Sequence, residues 1–182
     1  RYNDLADPGK YDVGKALQES SNTFFFWLMD KIAINKGIDR WHELASSFGL
    51  GQRNNIDLPN EVSGTLPDST YLNRVLGEGK WGIGDQLNLG VGQGFMAVSP
   101  LQMALVASEI ANGGYHLQPH IVQSIKKSDG SVLLTNPKKN EIEWVEDHDL
   151  QIVKNGMRRV VTDGSGRYYA DLDSVKVAGK TG

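Results

Sequence analysis

The sequence predicts an α+β fold with an antiparallel sheet. Apolar residues recur at helical spacing through much of the first half, a hairpin pattern follows, and a last helix runs into an alternating strand. In chain order, the turn residues Asp7-Pro8-Gly9 lead to a helical run from Val13 through Ala16 and Leu17, which polar Ser20 to Thr23 interrupt as a loop. Phe24 to Ile34 reads as a buried helix stopped by Asn35-Lys36-Gly37, and Asn22 can cap it. Asp39 is placed to N-cap an amphipathic helix through Trp41, Leu44, Ala45 and Phe48, closed by Gly49 and Gly51. From Gln52 to Gly94 the density of Gly, Asn, Asp and Pro predicts sparse regular structure, with loops wrapped round a core.

Ser99-Pro100 supplies an N-cap and a first-turn proline for a helix through Met103, Leu105, Val106 and Ile110, ended by Asn112-Gly113-Gly114. Ile121 to Lys126 and Val132 to Thr135 flank Ser128-Asp129-Gly130-Ser131 as a hairpin whose outward residues are read as polar. Asp147 can cap a helix with Leu150, Val153, Met157, Val160 and Val161 on one face, ended by Asp163-Gly164-Ser165-Gly166. Val175 and Val177 then alternate with Lys176 and Ala178 in a short strand reaching Lys180-Thr181-Gly182.

Composition bounds the function. The 182 residues, 39% hydrophobic and 23% charged, have the make-up of a globular domain with a core of its own. Nineteen Lys and Arg against 22 Asp and Glu, with no basic block, argue against a nucleic-acid partner. The absence of cysteine excludes disulfides, thiolate metal sites and cysteine nucleophiles. The longest apolar run, Phe24 to Met29, is far short of the roughly 20 residues needed to cross a bilayer, so any membrane anchor is expected outside these residues.

Two short motifs carry chemistry. Lys180-Thr181-Gly182 offers a cation, a hydroxyl donor and a residue without a side chain, which suits a carboxylate-bearing substrate lying along the backbone. Ser20-Ser21-Asn22, between two helices, offers hydroxyl and amide groups that relay a proton and grip an amide, although such residues also serve as plain caps and turns. If Lys180 and Thr181 sit on a regular strand they point to opposite faces, so both reaching one cleft requires twist or a bulge.

In this order the two motifs match two of the three signature elements of penicillin-binding proteins and class A β-lactamases. Trp81-Gly82-Ile83-Gly84, Asn88-Leu89-Gly90-Val91-Gly92-Gln93-Gly94 and Ser99-Pro100-Leu101-Gln102-Met103-Ala104 resemble the stretch between those elements in class B penicillin-binding proteins. The tryptophan-bearing stretch resembles the elongation-type group that includes penicillin-binding protein 2.

The resemblance covers essentially the whole chain. It implies a penicillin-binding/β-lactamase-like transpeptidase fold, an antiparallel sheet with an all-helical lobe, incomplete over residues 1–182. It also implies a serine D,D-transpeptidase that cross-links peptidoglycan stem peptides through an acyl-enzyme, is acylated by β-lactams and uses no cofactor or metal. Implied partners are a SEDS-type glycosyltransferase and other elongation-machinery proteins. The implied location is the outer face of the cytoplasmic membrane, with the catalytic domain periplasmic or extracytoplasmic. Residue by residue, Ser20 resembles the serine that passes a proton to the leaving amine, and Asn22 the residue that holds the substrate amide and the catalytic lysine. Lys180 resembles the lysine that keeps Ser20 in its network, Thr181 the carboxylate-binding hydroxyl, and Gly182 the last residue of that binding edge.

The chain departs from the pattern in one respect. The nucleophile belongs in a serine-x-x-lysine upstream of Ser20, and residues 1–19 contain no serine. Ser124-Ile125-Lys126-Lys127 has the spacing but falls in the predicted hairpin, whereas the family's serine begins a helix. These residues are therefore expected to be inactive alone and to belong to a longer chain. A β-lactam-sensing or non-catalytic binding module of the same fold remains an alternative, and a serine β-lactamase would need an acidic deacylating residue that cannot be assigned.

Three other patterns have plainer readings. Gly77-Glu78-Gly79-Lys80-Trp81-Gly82 has dinucleotide-loop spacing, but no strand pattern precedes it and no helical pattern follows. His116 and His120 lack a third metal ligand, and Pro119 breaks the helix that would align them. Phe24-Phe25-Phe26-Trp27 is read as packing of the helical lobe.

Overall fold

Residues 10–182 are described by a computed structural model, and the turn read at Asp7-Pro8-Gly9 lies outside them. Helix α1 (Val13–Gln18) starts where the Asp12 carboxylate accepts the Lys15 N–H at 2.7 Å. It lies on the long helix near the end of the chain, here α7 (Asp147–Thr162). That approach depends on glycine: a Cβ on Gly156 would fall 2.7 Å from Leu17 Cδ1 and 3.3 Å from the Gly14 Cα.

The break between the first two helices is shorter than the sequence implied. Helix α2 (Asn22–Lys36) is capped by Ser21, whose Oγ accepts the Phe24 N–H at 3.3 Å, so Asn22 is the first helical residue and not the cap. Gly37, at φ 78°, ends it and also opens α3 (Ile38–Ser46). Asp39 does not cap α3. It lies within the first turn, and its carboxylate reaches across to the Ser69 N–H and Oγ at 2.7 and 2.8 Å.

Two helices occupy the region read as loops. Helix α4 (Ser69–Leu76) begins at Asp68, which accepts the Tyr71 N–H at 2.6 Å, and α5 (Ile83–Leu89) begins at Gly82, whose N–H bonds back to Asp85 at 2.9 Å. Both are short, and the glycines that punctuate them obscured their periodicity. Their inward residues complete the core: Met29, Ile38, Leu72 and Leu89, with Trp41, Tyr71, Trp81 and Phe95 packed round them. Trp81 belongs to this packing, its indole N–H held by Asn73 Oδ1 at 2.6 Å. A helix therefore does follow the glycine-rich turn at Gly77, but the turn joins α4 to α5 and not a strand to a helix, the wrong context for a dinucleotide. Of the aromatic run in α2, Phe24, Phe25 and Phe26 are half-buried whereas Trp27 is exposed.

Helix α6 (Pro100–Asn112) matches its sequence signals, with Ser99 and Gln102 exchanging hydrogen bonds and Gly113 left-handed at its end. Strand β1 (Tyr115–Leu117) follows at once and pairs antiparallel with β4 (Lys139–Glu141), a pairing whose alternation is too short to read. Between them β2 (Ser124–Lys126) and β3 (Val132–Leu134) form the expected hairpin, with Ile125 opposite Leu133. Its outward residues are not only polar, because both faces lie in solvent and every residue of both strands is exposed.

Helix α7 starts after Glu146, so Asp147 is its first residue and not its side-chain cap. It is followed by the short α8 (Arg167–Ala170). The last twelve residues form no strand. No strand among the described residues lies beside them to complete a ladder, and their backbone bonds to α7 instead. Arg158 donates to Val177 O at 2.7 Å and pairs with Asp171 at 3.6 Å, while Gly179 N–H reaches Met157 O at 3.1 Å.

Helix α6 carries two buried polar side chains where periodicity expects apolar ones. The Gln102 amide reaches the carbonyls of Gly49, Gln52 and Ser63 at 3.3, 2.9 and 2.9 Å, pinning the loop that runs between α3 and α4. Glu109, wholly buried, meets His116 Nδ1 at 2.5 Å. Burial pushes its carboxyl above the ordinary range, with His116 opposing. A raised folded value means that the native state holds this proton more tightly than the unfolded chain. The resulting stability is complete below the unfolded carboxylate pKa and disappears as pH rises through the folded one. Glu109→Gln, which keeps an acceptor for His116, is expected to flatten that alkaline-going decline in a melting-temperature series from pH 4 to 8. An unchanged slope would exclude Glu109 as its source.

Candidate active site

Residues from both ends of the described chain converge on one cleft of about 590 Å³, lined by Ser20, Asn22, Lys180, Thr181 and Gly182. Leu17 and Phe25 form its floor beside α1 and α2, and Gly90, Val91 and Gln93 form the facing wall. The wall approaches this closely because residue 90 is glycine: a Cβ there would sit 2.6 Å from Met29 Cβ.

Ser20 is presented by a strained turn. Its N–H bonds to Leu17 O at 3.2 Å and the Ser21 N–H to Ala16 O at 2.9 Å, the pair of bonds that closes a helix through a left-handed residue. That residue is Ser20, at φ 56°, where helix ends favour glycine. Among the described residues only Asn55 and Asn60 are other non-glycines with positive φ. The turn directs the Ser20 hydroxyl to Lys180, whose Nζ lies 2.7 Å from Ser20 Oγ.

Lys180 folds back over its own backbone, with Nζ 2.6 Å from Thr181 O and 3.5 Å from Thr181 Oγ1. Loss of water at the cleft lowers its pKa below the ordinary lysine value. Because the terminal segment is irregular, the expected conflict between Lys180 and Thr181 on opposite strand faces does not arise. Both line the same cleft.

Sequence reasoning read Ser165 only as part of a helix stop. Its Oγ lies 2.7 Å from Thr181 Oγ1. The loop that carries it is seated on the end of α1, with Ser165 N–H 3.4 Å from Gln18 O and Gln18 Nε2 3.4 Å from Asp163 O. A Cβ on Gly164 would collide with Gln18 O at 2.4 Å. Ser165 thus sets the rotamer of the Thr181 hydroxyl from the same helix end that presents Ser20. The remaining candidates lie elsewhere: Ser124 and Lys127 belong to the exposed hairpin, and His116 is engaged by Glu109.

A cation on a serine hydroxyl, a second hydroxyl pair beside it and an amide side chain in the same lining are a set of donors suited to an anionic group. Comparison with known proteins agrees in family. The chain is 29% identical over 177 residues to the peptidoglycan D,D-transpeptidase MrdA of Escherichia coli (strain K12), covering 96% of this chain and 27% of that protein. It is 31% identical over 182 residues to the MrdA of Haemophilus influenzae, covering 96% of this chain and 26% of the relative. The crystal structure of Pseudomonas aeruginosa PBP2 in complex with WCK 5153 superposes with a TM-score of 0.82 at 30% identity, over 100% of this chain and 40% of that one. The chain thus spans about a quarter of the length of the curated relatives it matches. Its motif resemblance to the penicillin-binding protein 2 group and its transpeptidase fold are both borne out. With residues 2–182 matching that family's domain, the chain belongs to the penicillin binding protein transpeptidase domain family.

Proposed function

We propose that residues 1–182 are the part of a transpeptidase domain that binds the donor stem peptide and manages its protons, in a serine-type peptidoglycan D,D-transpeptidase. The observation that carries this reading is the 2.7 Å contact of Lys180 Nζ with Ser20 Oγ. The attacking serine comes from a helix outside these residues. It forms an ester with the penultimate D-alanine carbonyl while the terminal D-alanine leaves as its amine, which Ser20 protonates by relay. The acceptor amine then displaces the serine.

Lys180 keeps the Ser20 hydroxyl oriented and holds positive potential over the cleft, and Asn22 grips the substrate amide. Thr181, set by Ser165, donates to the terminal carboxylate, with Gly182 leaving room for the backbone beside it. β-Lactams enter by the same route because they present a carboxylate next to an acyl group. No cofactor or metal takes part. These residues alone do not catalyse, since the attacking serine is not among them. The full protein is anchored in the cytoplasmic membrane with this domain on the outer side, and it works with a SEDS-type glycosyltransferase and other elongation proteins.

Labelling the full-length protein with fluorescent penicillin tests the reading. Stable labelling that is blocked by unlabelled penicillin is expected, and Ser20→Ala should slow it about a hundredfold. Rapid release of the label would indicate a β-lactamase. Stable labelling of a protein that transfers no acyl group from a stem-peptide donor to an acceptor amine would favour a sensing module.

A further inference from the structure

We infer that the β2–β3 hairpin is a docking edge, to which an extended segment of another protein, alternating apolar and acidic residues, adds as a third strand. The first support is its mounting. Asp57, from the loop between α3 and α4, accepts the Ile121 and Val122 N–H groups at 2.8 Å each, which also keeps its carboxyl below the usual range. Thr135 closes the base of the hairpin through its N–H to Gln123 O at 3.0 Å and its hydroxyl to Val122 O. A two-stranded hairpin is marginal alone, yet this one is clamped at its root.

The second support is what the mount displays. Ile125, Val132, Leu133 and Leu134 are 54, 57, 55 and 71% exposed. Apolar side chains held in water on a rigid support mark interaction surfaces.

The edge itself is open. The hairpin is a separate two-stranded sheet. Two ladder bonds, Thr135 N–H to Gln123 O and Lys127 N–H to Ser131 O, fix the parity. The N–H and C=O groups of Leu133 turn inward to Ile125, and those of Val132 and Leu134 turn outward, ready for a further strand.

Charge selects the partner. Residues 121–140 contain Lys126, Lys127, Lys138 and Lys139 against Asp129 alone, within a chain of net charge −3. This basic island favours an acidic strand whose apolar residues extend the face of Ile125 and Leu133, which places its acidic residues on the face that carries Lys126.

A short fluorescein-labelled peptide of alternating glutamate and valine, titrated into the full-length protein, tests this by anisotropy. Saturable binding is expected, weakened about tenfold or more by Leu134→Pro, which removes an outward N–H and an exposed leucine side chain but none of the inward ladder bonds, and by Lys126→Glu with Lys127→Glu. A lysine–valine peptide should bind about tenfold more weakly. Hydrogen exchange of residues 124–134 should slow on peptide binding, a readout that needs no variant. Absence of binding, or binding indifferent to Leu134→Pro with no exchange protection, overturns the inference. Binding of phosphatidylglycerol vesicles in preference to the peptide, lost on charge reversal but not with Leu134→Pro, would assign the hairpin to a lipid surface and overturn it as well. None of these readouts depends on acylation, so failure here is distinct from failure of the transpeptidase reading.

Discussion

Replacing Ser20 with glycine is expected to raise the melting temperature of the full-length protein while slowing its acylation by penicillin about a hundredfold. The two effects have separate origins. A side chain in the left-handed region costs on the order of 1 kcal/mol, which glycine does not incur, and in a protein longer than these 182 residues that is a rise of less than the roughly 2–4 °C of a 150–250-residue domain. Ser20, at φ 56°, occupies the glycine position of a helix end whose other hydrogen bonds are all in place. The hydroxyl that glycine lacks is the one under Lys180 at 2.7 Å. Ser20→Ala separates the terms, because it loses the hydroxyl and keeps the strain. It should slow acylation equally with no gain in melting temperature. If glycine proves no more stable than alanine, the backbone at residue 20 is not strained.

The second large effect is expected at Lys180. Lys180→Gln retains a donor for Ser20 but removes the charge, and should lower the second-order acylation rate by about a hundredfold or more. Lys180→Arg keeps the charge but presents a planar fork in place of a compact ammonium, so it should restore only part of the rate. The pH profile adds a test. Desolvation lowers the Lys180 pKa, so its proton is lost at a lower pH than from a free lysine, and the rate should fall on the alkaline side correspondingly early. In Lys180→Arg that fall should move to higher pH. An alkaline limb unmoved by arginine would belong to another group.

What could be read in advance depended on how local its cause was. Helix α6 was legible because Ser99, Pro100, Gln102 and Gly113 state its start and stop within one segment. The pairing of Ser20 with Lys180 was legible only as an order of motifs, since nothing in either triplet indicates a 2.7 Å contact. Helices α4 and α5 were hidden by the glycines that cap them. The terminal strand was predicted from Val175 and Val177, but alternation describes only a strand's faces and does not supply a neighbour, and here Arg158 and Met157 take the backbone bonds. Ser165 was invisible as a site residue because its function lies in a partner sixteen positions later, reached through a loop seated on α1. Asn22 carried two readings in the sequence, a cap and a site residue; Ser21 is the cap, and the Asn22 amide lines the cleft.

The contact between Ser20 and Lys180 joins residues 160 apart in the chain. Each helix is held by hydrogen bonds between near neighbours, whereas the cleft needs α1 seated on α7. Loosening that one packing contact would dismantle the site while leaving the helices' own hydrogen bonds intact.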